Sequence, residues 1–110
     1  LFVVEELPYA PEMMDGEIEA RLRAIGEEAI EAIRERAETA DVPLETAIED
    51  GVPHQSILEY TEDEAIDLVV MGTQGRSGLD RYLLGSVAER VVRGSKAPVL
   101  TVRVDDMPDV

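Results

Sequence analysis

Short apolar runs separated by amphipathic stretches limit the folds open to this sequence more than any other feature. The clearest run, Leu68-Val69-Val70-Met71, is apolar at every position, as expected for a parallel strand buried on both faces. Pro98 introduces another run over 99–104, and residues 1–4 look like the end of a buried strand. Because parallel strands need long crossovers, helical stretches between these runs predict an α/β fold with an open parallel sheet.

The stretches between the strands carry helical patterns. Apolar residues recur every three or four positions over about 15–40, which predicts a long amphipathic helix with Glu and Arg on its solvent side. Gly51-Val52-Pro53 predicts a turn into a second helix. A third helix is predicted over about 86–93, with Gly94 as a left-handed cap. Alternation over 44–48 predicts a strand near one edge of the sheet.

Composition narrows the classes of function. The chain has 25 Asp+Glu against 10 Lys+Arg, a net charge of −15, which argues against general nucleic-acid binding because phosphates would be repelled. It has no cysteine, no apolar run near the roughly 20 residues that span a bilayer, and no signal-peptide pattern. We therefore expect one cytoplasmic domain over 1–110, with no membrane partner. The acidity favours a salt-adapted, halophilic protein over an ordinary acidic surface.

The charge is unevenly distributed along the chain. Residues 1–67 carry 20 acidic and 4 basic side chains, a net charge of −16. Residues 68–104 carry 2 acidic and 6 basic side chains, a net charge of +4. This locally basic segment is where we expect an anionic ligand to bind.

A glycine-rich loop lies in the basic segment, directly after the run that predicts a buried strand. Ligands of open parallel sheets bind beyond the carboxyl ends of the strands, and glycine lets backbone N–H groups approach an anion. Gly85-Ser86 then opens a helix whose free N–H groups and positive dipole end favour phosphate. The Ser86 hydroxyl can cap this helix or donate to a phosphate oxygen, and Arg76 and Arg81 add positive charge.

The loop differs from the common phosphate-binding motifs. It lacks the lysine of a Walker A loop and the Gly-x-Gly-x-x-Gly of a dinucleotide site; its spacing is Gly72-x2-Gly75-x9-Gly85-Ser86. That spacing resembles the nucleotide motif of the ATP-binding members of the universal stress protein family. The resemblance extends over the whole chain and includes Leu1–Val4 as the family's second strand, Asp67–Gly72 and Ala97–Leu100.

The resemblance implies a Rossmann-like fold of the adenine nucleotide alpha hydrolase type, in three α/β/α layers. It also implies ATP, with or without Mg²⁺, as the ligand, held mainly by backbone N–H groups. Val3 and Met71 would pack near the adenine and ribose, and Arg76 would lie beside the phosphates. The nucleotide-binding residues that it implies are Val3, Met71, Gly72, Gly75, Arg76, Gly85, Ser86 and Val87.

One part of the family's pattern has no counterpart in these residues. The family's fold begins with a strand that carries an Asp near its carboxyl end, followed by a helix, and that Asp helps to hold the adenosine. Since this strand lies between the second and fourth strands of the family's sheet, we expect its absence to split the core. We therefore expect an N-terminally truncated universal stress protein domain whose nucleotide pocket lacks one wall.

The favoured function is an ATP- or adenine-nucleotide-binding protein of stress response or signalling. We expect a homodimer through the apolar last strand, Val99–Val104, as the family forms. No residue set resembles a general base for phosphoryl transfer, so we expect at most slow ATP hydrolysis, with no catalytic residue and no metal ligand. Two alternatives remain open: a dimeric scaffold whose loop binds no nucleotide, and an ATP-dependent transferase on a related fold.

Overall fold

Strands and helices alternate along the whole described chain. The computed structural model describes residues 1–5, 12–73 and 84–103. Its elements, in order, are β1 (Phe2–Glu5), α1 (Glu12–Ala40), β2 (Ile48–Gly51), α2 (Pro53–Asp63), β3 (Val69–Gly72), α3 (Ser86–Gly94) and β4 (Val99–Val102). This alternation, with parallel pairing of the strands, confirms the predicted α/β class.

The strands pair as two sheets of two rather than as one sheet of four. β1 pairs with β2 and β3 pairs with β4, each over four residues. The chain correspondingly divides into two compact units, 1–56 and 57–110, and the division falls within α2.

In the first unit, α1 packs on the β1–β2 sheet. Val3 and Val4 point to opposite faces of β1, and both are buried. Gly26 of α1 faces the ring of Phe2, so closely that a β-carbon added at Gly26 would lie 2.5 Å from the ring. The close approach of α1 to β1 therefore depends on a glycine at this position.

Two helices end in the left-handed conformation without a glycine. Asp41, just after α1, has φ 58°, and the Val42 and Asp41 N–H groups donate to the carbonyls of Ala37 and Glu38 at 2.8 and 3.2 Å. This is the Schellman arrangement, which satisfies two carbonyls at the end of the helix. Ala65, with φ 49°, ends α2 in the same way.

Two sequence-based predictions about element ends are wrong. β2 begins at Ile48 rather than near Leu44, because parallel pairing brings Ile48 opposite Phe2 at the start of β1. Gly94 is the last residue of α3 and lacks a positive φ, so it is not a left-handed cap. A β-carbon at Gly94 would lie 2.9 Å from Leu58 Cδ1, so glycine here permits a close side-chain contact.

In the second unit, α3 covers one face of the β3–β4 sheet. Ala88 and Val91 of α3 are buried, and α3 packs on β4. Val70 and Leu100 are opposite each other across the strand pair and are 59% and 53% exposed. Because these two side chains share the exposed face, α3 covers the other one.

Carboxylates crowd the solvent side of α1. Glu27, Glu31 and Glu35 are exposed and follow one another at intervals of four residues, so like charges lie one helical turn apart. The four ion pairs found within the described residues all join exposed side chains, and pairs of this kind each contribute about 0–1 kcal/mol. Repulsion among the carboxylates is therefore poorly compensated.

None of the helices within the described ranges combines the length and the apolar character that crossing a bilayer requires.

We expect salt to stabilise this protein. Raising NaCl from about 0.1 M to about 1 M shortens the Debye length from about 10 Å to about 3 Å and screens the repulsion between carboxylates. The melting temperature should rise by several degrees, and by less in a Glu27→Gln/Glu35→Gln variant, which retains the Glu31–Arg34 pair. A melting temperature that falls with NaCl would show that the ion pairs dominate.

Replacing glycine by alanine should have opposite effects at two positions of α1, because Gly26 contacts Phe2 and Gly16 does not. Gly26→Ala should lower the free energy of unfolding by about 1–3 kcal/mol, because Phe2 must move. Gly16→Ala is the matched control: it meets nothing within 4 Å and should raise the free energy of unfolding by up to about 1 kcal/mol. Urea titration measures both. A stabilised Gly26→Ala variant would contradict the packing described.

Candidate functional site

The carboxyl end of β3 and the start of α3 are joined by main-chain hydrogen bonds. Thr73 follows β3, and its N–H donates to the Val102 carbonyl at 2.9 Å. The Thr73 carbonyl accepts a hydrogen bond from the Gly85 N–H at 2.6 Å. These bonds bring the N-terminus of α3 to the carboxyl end of a parallel strand pair, the position at which α/β proteins hold ligands.

Within the described residues, three N–H groups in the first turn of α3 have no acceptor. Gly85 is the N-cap residue, with φ −65° and ψ 161°, and its carbonyl accepts the Glu89 N–H at 3.0 Å. Ser86 is the first helical residue, so of the two roles predicted for its hydroxyl, capping the helix is not the one observed. The N–H groups of Ser86, Val87 and Ala88 have no acceptor within the described residues, as helix geometry requires of a first turn.

The electrostatics of this turn favour an anion. The aligned peptide dipoles place partial positive charge at the N-terminus of α3, where a negative group is stabilised by about 0.3–1 kcal/mol. Glu89 is the acidic residue of the first turn, and its carboxylate pairs with Arg93 one turn further along, at 2.8 Å. In the part of the chain that the structure describes, no carboxylate bonds to the free N–H groups.

Five of the eight predicted site residues lie near the carboxyl end of β3 or at the start of α3. Met71 and Gly72 are the last residues of β3. They directly precede Thr73, whose carbonyl accepts the hydrogen bond from Gly85. Ser86 is exposed and Val87 is half-buried at the start of α3. The structure therefore brings five of the predicted residues to one end of the second unit.

The other predicted residues lie elsewhere or outside the description. Val3 is buried in β1 of the first unit, opposite Glu49 in the strand register. Gly75 and Arg76 lie outside the described residues, as does Arg81. Their predicted roles at the phosphates stay predictions.

Sequence reasoning missed Thr73. The residue is only 8% exposed, and its hydroxyl oxygen is shielded from solvent without a hydrogen-bond partner among the described residues. The available signal was a hydroxyl residue directly after a buried strand, between the first two glycines of the loop motif. Within the described residues, Thr73 has a hydroxyl without a partner, and its carbonyl holds the residue that begins α3. This arrangement fits a phosphate-bearing ligand, because phosphate oxygens accept from both hydroxyl and helical N–H groups.

A groove in the first unit suits a phosphate poorly. It has a volume of about 370 Å³ and lies between α1 and β2. Glu27 and Glu31 line it, and its one basic side chain, Arg34, already bonds Glu31 at 2.6 Å and Thr46 at 3.2 Å. Nowhere in the described ranges do three or more His, Asp or Glu side chains converge as metal ligands would.

The motif at this site agrees with comparison to known proteins. A family model described as the universal stress protein family matches residues 1–103. The chain belongs to the universal stress protein family. It is 40% identical over 106 residues to universal stress protein MJ0531 of Methanocaldococcus jannaschii, covering 94% of this chain and 62% of that protein. It is 36% identical over 95 residues to YxiE of Bacillus subtilis, covering 86% of this chain and 64% of that protein.

Solved structures of the family superpose on this chain. The structure of MJ0577, also from M. jannaschii, gives a TM-score of 0.81 at 33% identity and covers 92% of this chain and 71% of that one. Universal stress protein UspA of Lactobacillus plantarum gives 0.73 at 29% identity and covers 92% and 73%. The chain spans slightly less than two thirds of the length of the curated relatives described above.

Proposed function

We propose that this chain is an adenine-nucleotide-binding universal stress protein that acts in stress response or signalling with little intrinsic catalysis. The observation that carries the proposal is the 2.6 Å hydrogen bond from the Gly85 N–H to the Thr73 carbonyl. It holds the free N-terminus of α3 at the carboxyl end of β3, where phosphate is favoured by both the N–H groups and the dipole. The +4 charge of 68–104 supports an anionic ligand.

We assign protein residues to the phosphate, adenine and ribose of the nucleotide from their residue types and from the family motif. We propose that the backbone N–H groups of Gly85, Ser86 and Val87 hold phosphate, with Gly72 allowing close approach. We propose that the apolar side chain of Met71 packs near the adenine and ribose. The same role for Val3, which the family resemblance implies, stays a prediction. Gly75 and Arg76 belong to the same proposal, as phosphate contacts of the loop.

We propose slow chemistry because, among the described residues, the carboxylate in the first turn of α3 is already engaged in an ion pair. Phosphoryl transfer needs a residue that orients or deprotonates the attacking nucleophile. Glu89, the acidic residue of the first turn, is held by Arg93 at 2.8 Å. A signalling protein that binds ATP without rapid turnover fits this arrangement better than a transferase does.

We further propose that the protein works in the cytoplasm, since a chain without cysteine does not depend on an oxidising compartment for disulfides.

Thermal unfolding of the intact protein with and without millimolar ATP tests the proposed function. At an ATP concentration about 100 times the Kd, binding should add about 2.7 kcal/mol to the free energy of unfolding and raise the melting temperature. Gly85→Ala should reduce this shift, because a methyl group would stand beside the phosphate-binding N–H groups. The φ of −65° and ψ of 161° at Gly85 are open to alanine, and circular dichroism checks that the variant folds.

Gly16→Ala is the matched control, since the same substitution at an exposed position of α1 should leave the ATP shift unchanged. No ATP shift in the unsubstituted protein would favour the scaffold that binds no nucleotide. Turnover faster than about 1 s⁻¹, an ordinary kinase rate, would favour a transferase instead.

We also propose a homodimer through the last strand. Within the described residues β4 pairs with β3 alone, so its other edge is open to a second copy of the chain. The carbonyls of Pro98 and Val102 accept hydrogen bonds from the N–H groups of Val69 and Thr73, so these residues face β3. Consecutive residues of a strand point their N–H groups to opposite edges. The N–H of Thr101 therefore points to the open edge.

Thr101→Pro should weaken the dimer, because it removes a pairing N–H from each copy while proline is tolerated at an open strand edge. With about 1 kcal/mol per hydrogen bond, the dimer Kd should rise tenfold or more, measured by analytical ultracentrifugation with circular dichroism unchanged. Leu100→Pro is the control, since it removes an N–H that faces β3 and should unfold the sheet. A Thr101→Pro protein that dimerises normally would contradict the proposed interface.

A further inference from the structure

The main chain of Thr73 is fully hydrogen-bonded, but its side chain is not. Its N–H donates to Val102 and its carbonyl accepts from Gly85. The hydroxyl oxygen has no hydrogen-bond partner among the described residues, although the residue is more than nine-tenths buried. A buried hydroxyl without a hydrogen-bond partner destabilises the fold, whereas valine, of nearly the same shape, would not.

The strand register shows on which side of the sheet this hydroxyl lies. The N–H groups of Val69 and Thr73 both donate to carbonyls of the neighbouring chain segment at 2.9 Å, so Thr73 continues the two-residue alternation of β3. Its side chain therefore lies on the face of Val69 and Met71, opposite the exposed face that carries Val70. That is the face covered by α3, so the hydroxyl lies on the side of the helix N-terminus.

Resting on the proposed function, we propose that the Thr73 hydroxyl donates a hydrogen bond to a phosphate oxygen of the bound nucleotide. The neighbouring main-chain groups of the first turn of α3 are donors, so they cannot satisfy the hydroxyl proton. A phosphate oxygen can accept from the hydroxyl and from the helical N–H groups together. Thr73 thereby makes the site select phosphorylated nucleotides over the bare nucleoside.

Isothermal titration calorimetry on the intact protein tests this role, with ATP and adenosine as probes. Thr73→Val should weaken ATP binding about tenfold or more, the effect of losing one hydrogen bond to a charged group. Adenosine affinity should stay unchanged, because adenosine carries no phosphate. Thr73→Ser, which retains the hydroxyl, should bind ATP within about threefold of the unsubstituted protein, a difference smaller than one such hydrogen bond.

Urea unfolding without nucleotide separates this role from a structural one. Thr73→Val should unfold at the same or a higher urea concentration than the unsubstituted protein, because no hydrogen bond is lost. A lower midpoint, or failure to fold, would overturn the proposal by showing that the hydroxyl supports the fold.

Two binding outcomes would overturn the Thr73 role and leave the proposed function standing. One is equal ATP affinity of the Thr73→Val and unsubstituted proteins; the other is an equal loss of ATP and adenosine affinity. If the unsubstituted protein binds no ATP, both the proposed function and the Thr73 role fail.

Discussion

The two main-chain hydrogen bonds of Thr73 are the interaction on which the second unit depends. One extends the β3–β4 pairing by a residue and the other holds Gly85, so strand end and helix start meet at a single point. Both bonds use backbone atoms, and within the described residues the Thr73 hydroxyl makes no hydrogen bond. A residue that is fixed so firmly by its backbone can offer its hydroxyl to a ligand without loss of order.

Short parallel strands set a second constraint. A pair of four-residue strands buries little by itself, so each sheet depends on a helix laid across it. In the first unit this is α1, which approaches closely because Gly26 leaves room for the Phe2 ring. In the second unit it is α3, with Ala88 and Val91 buried and the opposite face of the sheet exposed.

Local sequence patterns predicted the element order, the long first helix and the helix start at Pro53. They could do so because hydrophobic periodicity and proline determine the conformation of the residues close to them in sequence. They could not predict the left-handed ends at Asp41 and Ala65, which carry no glycine signal and depend on the path that the chain takes next. At the site, motif spacing identified Gly85. The role of Thr73 was missed, because burial and an unmet hydrogen bond are properties of the folded chain.

The exposed carboxylates along α1 also govern how fast an anion can reach this protein. At about 0.01 M salt the Debye length is about 30 Å, so an approaching anion feels the whole net charge of −15 before it meets the basic segment. Its encounter rate is then lowered by repulsion, whereas most proteins that bind phosphates attract them from a distance. Added salt should therefore accelerate the capture of an anionic ligand.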